Sequence, residues 1–160
     1  MRGDTPWEVD VPVRTSHLCD FEIHFRRHEL QTTPLGTRLH VVVEDGRVRG
    51  PELNGRFLPG GGDWITIGTD RVARLDVRAT FETEDGARVL VTNTGRAVLG
   101  GDAIGRFVSG QLVAAHEMYA RSSPLFETGD DRYAWLNATH TVAVNQFSLH
   151  EVHYRVHRVL

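Results

Sequence analysis

Residues 74–82 read RLDVRATFE, which places Leu75, Val77, Ala79 and Phe81 on one parity and Asp76, Arg78, Thr80 and Glu82 on the other. Successive side chains of an extended backbone point to opposite sides, so this period of two predicts a strand with one packed and one polar face. A helix cannot accommodate it. Glu84-Asp85-Gly86-Ala87 carries turn chemistry, and residues 88–94 (RVLVTNT) return as the partner strand of a hairpin. Which face looks inward is decisive, because a sandwich turns its charged face to water whereas a ligand-enclosing barrel can be polar inside.

The same alternation recurs. Phe21, Ile23 and Phe25 alternate with Glu22, His24 and Arg26, and near the C-terminus Val152, Tyr154 and Val156 alternate with His153, Arg155 and His157. The valine-rich residues 38–44 read as extended, Asp45-Gly46 as a hairpin turn, and residues 52–59 as a short strand kinked at Gly55. Residues 119–126 and 134–144 supply further strands. Three glycines at 60–62 predict a tight turn; no lysine or helical pattern follows them, so they do not form a phosphate cradle. Helical spacing appears only in residues 102–110 (DAIGRFVSG), with Asp102 as N-cap and Gly110 as the stop. Eight or more short strands and one small helix predict an all-β fold, an antiparallel barrel whose closure removes exposed strand edges.

A chain of 160 residues suits a single domain spanning 1–160, with residues 1–15, containing Pro6 and Pro12, as a polar N-terminal arm. Basic and acidic residues number 18 and 21 and are dispersed, so there is no basic stripe for nucleic acid. No apolar run approaches the roughly 20 residues that span a bilayer, which argues against a membrane partner. The lone Cys19 cannot form an internal disulfide, and the first ten residues lack a charged-then-apolar signal pattern, so a cytoplasmic location is expected. Asn137-Ala138-Thr139 matches a glycosylation sequon, but Asn137 is read as a structural or pocket amide.

Residues 119–137 (YARSSPLFETGDDRYAWLN) concentrate aromatic and ionisable groups between two predicted strands. Either Tyr119, Phe126, Tyr133 and Trp135 plug a core around a Gly129-Asp130-Asp131 turn, or one face lines a cavity walled by Tyr119 and Trp135. Nine histidines raise the question of metal, yet His24 with His28 and His153 with His157 are each spaced by four. At about 3.3 Å per residue such a pair is about 13 Å apart, too far to chelate one ion, so neither metal nor cofactor is expected.

Three segments, GPELNGRFLPGGGDW (50–64), LDVRATFETEDGARVLVTNTG (75–95) and YARSSPLFETGDDRYAWLN (119–137), together resemble the family catalogued as domain of unknown function 3237, DUF3237. The resemblance implies a calycin-like barrel with one short helix and a central small-molecule pocket. Its polar positions fall on Asp63, Trp64, Asp76, Arg78, Asn93, Tyr119, Arg121, Glu127, Tyr133, Trp135 and Asn137, and on Asp85-Gly86, which read as turn chemistry. Ala79 and Ala120 stand where the family often carries aromatic groups, which implies a wider cavity.

Asp76, Arg78, Arg121 and Glu127 are the catalytic candidates: a carboxylate beside a guanidinium suits acid–base work on a carbonyl compound, with arginine stabilising a developing oxyanion. Asp63, Trp64, Asn93, Tyr119, Tyr133, Trp135 and Asn137 are the substrate-binding candidates. The expected activity is a cofactor-independent cyclase, isomerase or lyase acting on a carbonyl or polyketide-like metabolite. Aromatic walls folding a flexible substrate offer a second route to cyclisation. A non-catalytic small-molecule binder is the alternative, a collapsed homo-oligomeric scaffold is a third, and a homodimer is compatible with each.

Overall fold

The computed structural model describes residues 12–160, so most of the expected N-terminal arm lies outside the described residues. Nine strands follow in order: β1 (Thr15–Thr33), β2 (Gly36–Arg49), β3 (Gly55–Phe57), β4 (Gly62–Ile67), β5 (Val72–Thr83), β6 (Arg88–Val98), β7 (Tyr119–Glu127), β8 (Thr141–Phe147) and β9 (Glu151–Val159). Among the described residues a single α-helix, α1 (Ala103–Val108), joins β6 to β7, and a 3-10 helix (Asp131–Ala138) joins β7 to β8. Strand order is β1-β9-β8-β7-β6-β5-β3-β2-β4, with β1–β2 and β5–β4 pairings that close the sheet on itself. Every pairing is antiparallel.

Nine strands make eight staves, because β3 and β4 occupy one slot between β2 and β5 at different heights: Arg47 pairs with Arg56, whereas Val41 pairs with Asp63. The break between them is the glycine run. Gly60 and Gly61 adopt φ of 101° and 71°, where side-chain-bearing residues are strained. At Gly62 a Cβ would lie 2.1 Å from the Val41 carbonyl oxygen. The turn read from these glycines is therefore present, and the strand it interrupts resumes in time to deliver Asp63.

Two local readings need correction. Asp45-Gly46 is not a hairpin turn: β2 runs through it, Gly46 pairing with both Ile23 and Phe57, and the reversal lies at Pro34-Leu35. The pairing shifts register around Phe25, and that irregularity lets the long β1 and β2 bend round the barrel. Residues 134–138 are not strand but the end of the 3-10 helix, started by the Asp130 side chain accepting the Arg132 N–H. Pro124 explains why β7 and β8 pair at only two positions, Arg121–Val144 and Ser122–Ala143. Proline has no N–H for the ladder, and its carbonyl instead accepts the Thr141 hydroxyl.

Packing settles the question of facing. In β5, Ala73, Leu75, Val77, Ala79 and Phe81 are buried while Asp76 and Arg78 are exposed, so the apolar parity points inward. Two clusters fill the interior. At one end Phe21, Phe57, Phe81 and Phe126 meet mostly edge-to-face, with ring centroids 5.1 to 6.3 Å apart, and Leu136, Tyr133 and Trp135 of the 3-10 helix pack against them. At the other, Ala103 and Phe107 of α1 join Leu39, Val41, Ala73, Leu99 and Val113. No helix among the described residues is long and apolar enough to cross a membrane.

The aromatic plug is a stability element. Phe81 is fully buried and meets three other rings. Phe81→Ala is expected to cost about 3–5 kcal/mol in urea unfolding, whereas Arg78→Ala on the outer face changes stability by less than about 0.5 kcal/mol.

Candidate functional site

The barrel is not filled throughout. Above the aromatic plug a hollow is walled by apolar side chains, among them Phe25, Leu39, Ile65, Leu75, Phe107 and Phe147, and the centres of water-sized molecules fit within about 40 Å³ of it. About 10–15 Å³ on this measure admits one water, so the space is small but real. Four polar side chains break the apolar wall: Asp63, Asn145, Ser148 and Tyr154. Strand register explains their convergence. Asp63 pairs across to Val77 and Val77 to Asn93; Ser122 lies on the adjoining β7 and pairs with Ala143; Asn145 pairs with Tyr154. Asp63, Asn93, Ser122, Asn145 and Tyr154 occupy the inward parity of their strands and Ser148 directly follows β8, so together they form a polar band across an otherwise apolar interior.

Asp63 is 6% exposed, and its Oδ1 accepts the Asp76 backbone N–H at 2.9 Å. Burial pushes its carboxyl up to about 7; the Asp76 N–H acts in the opposite direction, and the Asp76 charge adds to the rise. Tyr154 is also buried. Its phenol lies well above the ordinary range, chiefly through burial and secondarily through the Asp63 charge, with an opposing hydrogen bond from Asn93. The Asn93 Oδ1 is buried and has no hydrogen-bond partner among the described residues, a costly condition for an amide oxygen. Asn145 is fully buried and shares its amide with Ser122 Oγ, 3.2 Å from both Oδ1 and Nδ2.

The residues expected from sequence divide sharply. Asp63 lines the hollow, and Asn93 is buried beside it in the band. Asp76, Arg78, Arg121 and Glu127 do not come together there: all four occupy the outward parity and are exposed. Asp76 and Arg78 pair with each other at 3.6 Å on the outer wall, and Arg121 lies over the exposed Tyr119 ring at 5.3 Å. The cause is the parity of β5 and β7, whose apolar alternates claim the interior. Trp64 follows Asp63 and therefore faces outward, stacked on His40 with centroids 4.6 Å apart.

Tyr133, Trp135 and Asn137 belong to the plugged end, away from the hollow. Tyr133 donates its hydroxyl to Asp85, Arg158 covers the Trp135 ring at 4.7 Å, and Asn137 clamps Thr128, accepting its N–H at 2.8 Å and donating to its carbonyl at 2.9 Å. Ala79 and Ala120 are buried but do not line the hollow. Cys19 is fully buried, and burial, reinforced by the Asp20 charge, pushes its thiol up to about 12, so it is no nucleophile near neutrality. Among the described residues no three His, Cys, Asp or Glu side chains form a metal-holding group.

Tyr154, Asn145 and Ser122 are the interior residues that motif reading passes over. The signal that finds them is parity: Asn145 falls on the inward alternate of Thr141, Ala143 and Phe147, and Tyr154 on that of Val152 and Val156.

Comparison with known proteins places this barrel among relatives. The family model "Protein of unknown function (DUF3237)" matches residues 13–159. The chain belongs to the DUF3237 family. A UPF0311 protein of Rhodopseudomonas palustris is 34% identical over 101 residues, covering 63% of this chain and 66% of that relative, just under two thirds of its length. The crystal structure of a conserved protein of unknown function from the same species superposes with a TM-score of 0.87 at 27% identity, covering 95% of this chain and all of that one. An enzyme from Penicillium herquei superposes with a TM-score of 0.70 at 18% identity, covering 96% of this chain and 99% of that one; this likeness shows the fold alone. This DUF3237 chain is thus a closed antiparallel β-barrel with a short α-helix and a 3-10 helix.

Asp63 makes stability depend on pH, with a definite sign. Its ordinary value of 3.8 is raised to about 7 in the fold. Below about pH 4 both folded and unfolded chains hold the proton; between about 4 and 7 only the unfolded chain ionises, so stability falls as pH rises, and above 7 the full loss persists. The gap corresponds to as much as about 4 kcal/mol. Asp63→Asn keeps the acceptor for the Asp76 N–H, so in urea unfolding it is expected to stabilise the protein by a few kcal/mol more at pH 8 than at pH 4. Equal effects at both pH values contradict the burial argument.

Proposed function

We propose that this DUF3237 barrel binds a small, mostly apolar molecule in its hollow, with the polar end of that molecule directed at the band formed by Asp63, Tyr154 and Asn145. The observation that carries this reading is a buried carboxyl that has, among the described residues, a single backbone donor, beside free space in an apolar wall. Folding gains little from such a group, since burying a carboxyl without a charge partner is costly. Retaining it makes physical sense where a ligand supplies the missing interaction.

A second reading is that the bound molecule reacts, by cyclisation, isomerisation or elimination at a carbonyl compound. One observation favours it: an acid held near 7 by burial can both give and accept a proton at neutral pH. In this reading Asp63 replaces the four outward-facing residues as the acid–base group. Asp63 carboxylate removes a proton from the carbon next to the carbonyl, leaving an enolate, and the resulting carboxylic acid returns the proton to carbon or oxygen.

Two measurements test these readings. Ala73 lines the hollow and Arg121 does not, so Ala73→Phe is expected to abolish binding of a neutral fluorescent probe such as N-phenyl-1-naphthylamine while Arg121→Ala leaves it unchanged. Equal binding by both variants refutes a site in the hollow. For the reactive reading, an enolisable aryl ketone in D2O is expected to gain deuterium beside its carbonyl with the native protein and not with Asp63→Asn, as followed by proton NMR. No exchange above the buffer rate leaves binding alone.

A further inference from the structure

We propose that the occupant of the hollow is an uncharged carbonyl compound whose oxygen is held between two groups of its lining, the buried carboxyl of Asp63 and the phenol of Tyr154. This rests on the binding reading above and adds the chemical class of the ligand.

Charge exclusion comes first. The ionisable side chains that line the hollow are Asp63 and Tyr154; arginine and histidine are absent from its lining among the described residues. A carboxylate or phosphate ligand would meet no cation and one acid, in a medium where an uncompensated charge costs several kcal/mol. Anionic ligands are therefore disfavoured.

Schiff-base capture by a side chain is excluded by the sequence. All 18 basic residues are arginine, and the chain contains no lysine, so no side-chain amine is available to form a Schiff base with a carbonyl. A carbonyl group in this hollow is addressed instead through its oxygen, by the polar side chains of the lining.

The two acidic groups have the right polarity for that. Oδ1 of Asp63 is occupied by the Asp76 N–H, which leaves the other oxygen to carry a proton and donate. A phenol oxygen accepts while its O–H donates, so Tyr154 can take a hydrogen bond from the Asn93 amide and still direct its own O–H at a ligand. Both groups resist ionisation in the same way, since burial comes first among the causes for each. A protonated aspartate beside a tyrosine in an apolar site is a known way to stabilise a carbonyl oxygen that gains negative charge.

The groups that act on Asp63 come from its neighbouring strands. Asp76 lies across the pairing on β5, with its side chain outward and paired to Arg78, and Tyr154 approaches from β9. From β2 the residue opposite is Val41, which has no charge. Among the described residues, no group packed there offers Asp63 the cation that would keep it ionised.

Four probes of one skeleton separate the possibilities: acetophenone (neutral acceptor), ethylbenzene (apolar), benzoate (anion) and 1-phenylethylamine (cation), titrated calorimetrically at pH 5.5 and 8.5. Acetophenone is expected to bind about tenfold more tightly than the other three at pH 5.5, with its carbonyl stretch at lower frequency than in hexane. At pH 8.5 its affinity should fall by roughly 30-fold as a carboxyl titrating near 7 loses its proton. Asp63→Asn, which keeps one neutral donor, is expected to bind it within about threefold of the native protein and to lose the pH dependence. Tyr154→Phe should weaken acetophenone about tenfold and leave ethylbenzene unchanged. Tightest binding of 1-phenylethylamine at pH 8.5, of benzoate at either pH, or of ethylbenzene equal to acetophenone, overturns the carbonyl assignment and leaves the hollow as a binding site. Failure of all four to bind overturns the binding reading together with the assignment.

Discussion

The desolvation of Asp63 is the constraint on which the functional interpretation depends. An exposed carboxylate titrates near 4 and says little about purpose, but this one is 6% exposed, with one backbone N–H donating to it among the described residues and a hollow beside it. The arginines that might have neutralised it project the other way: Arg78, on the adjacent β5, reaches Asp76 on the outer wall. Strand parity produces this outcome. Because β5 buries Leu75 and Val77, its charged alternates must face water, and among the described residues the buried acid comes from β4, immediately after the glycine run.

Closure of the sheet then divides the interior by function. At the end where β5, β6 and β7 meet Thr83, Arg88 and Glu127, four phenylalanines and the 3-10 helix fill the space and supply the packing that a domain of this size needs. At the other end, where β6 leaves toward α1, smaller and partly exposed groups such as Ala73, Ile65 and Ile67 leave room. The polar band lies between the two. A ligand entering the hollow would thus meet apolar walls first and polar groups at depth, with rigid strands rather than loops holding those groups in place.

Much of this fold is legible in the sequence because period-two alternation survives in β5, β6, β7 and β9, and the β5–β6 turn at Asp85-Gly86 follows from its residues. Asp45-Gly46 misleads because turn chemistry is local, while β2 is held extended by β1 on one side and β3 on the other. Residues 134–138 mislead because aromatics favour strands, yet Tyr133, Trp135 and Leu136 are recruited by the phenylalanine plug into a short helix. For the site, the polar-rich segment 119–137 draws attention to Arg121, Glu127 and Asn137, which serve the outer wall and a loop clamp. The informative residues are instead polar ones on apolar parities: Asp63, Asn93, Asn145 and Tyr154. Asp63 and Asn93 are reached by family motif; Tyr154 and Asn145 require knowing which face is inside, and that depends on closure, a long-range property.

The most direct measurement is the carbon-13 chemical shift of the Asp63 side-chain carboxyl, followed by NMR in the unliganded protein between pH 3 and 9. Titration with a midpoint near 7 is the behaviour expected of an acid buried in this hollow. A midpoint near 4 would mean that water or an unrecognised cation reaches the carboxylate, and the neutral acid at the heart of the proposed site would not exist at physiological pH.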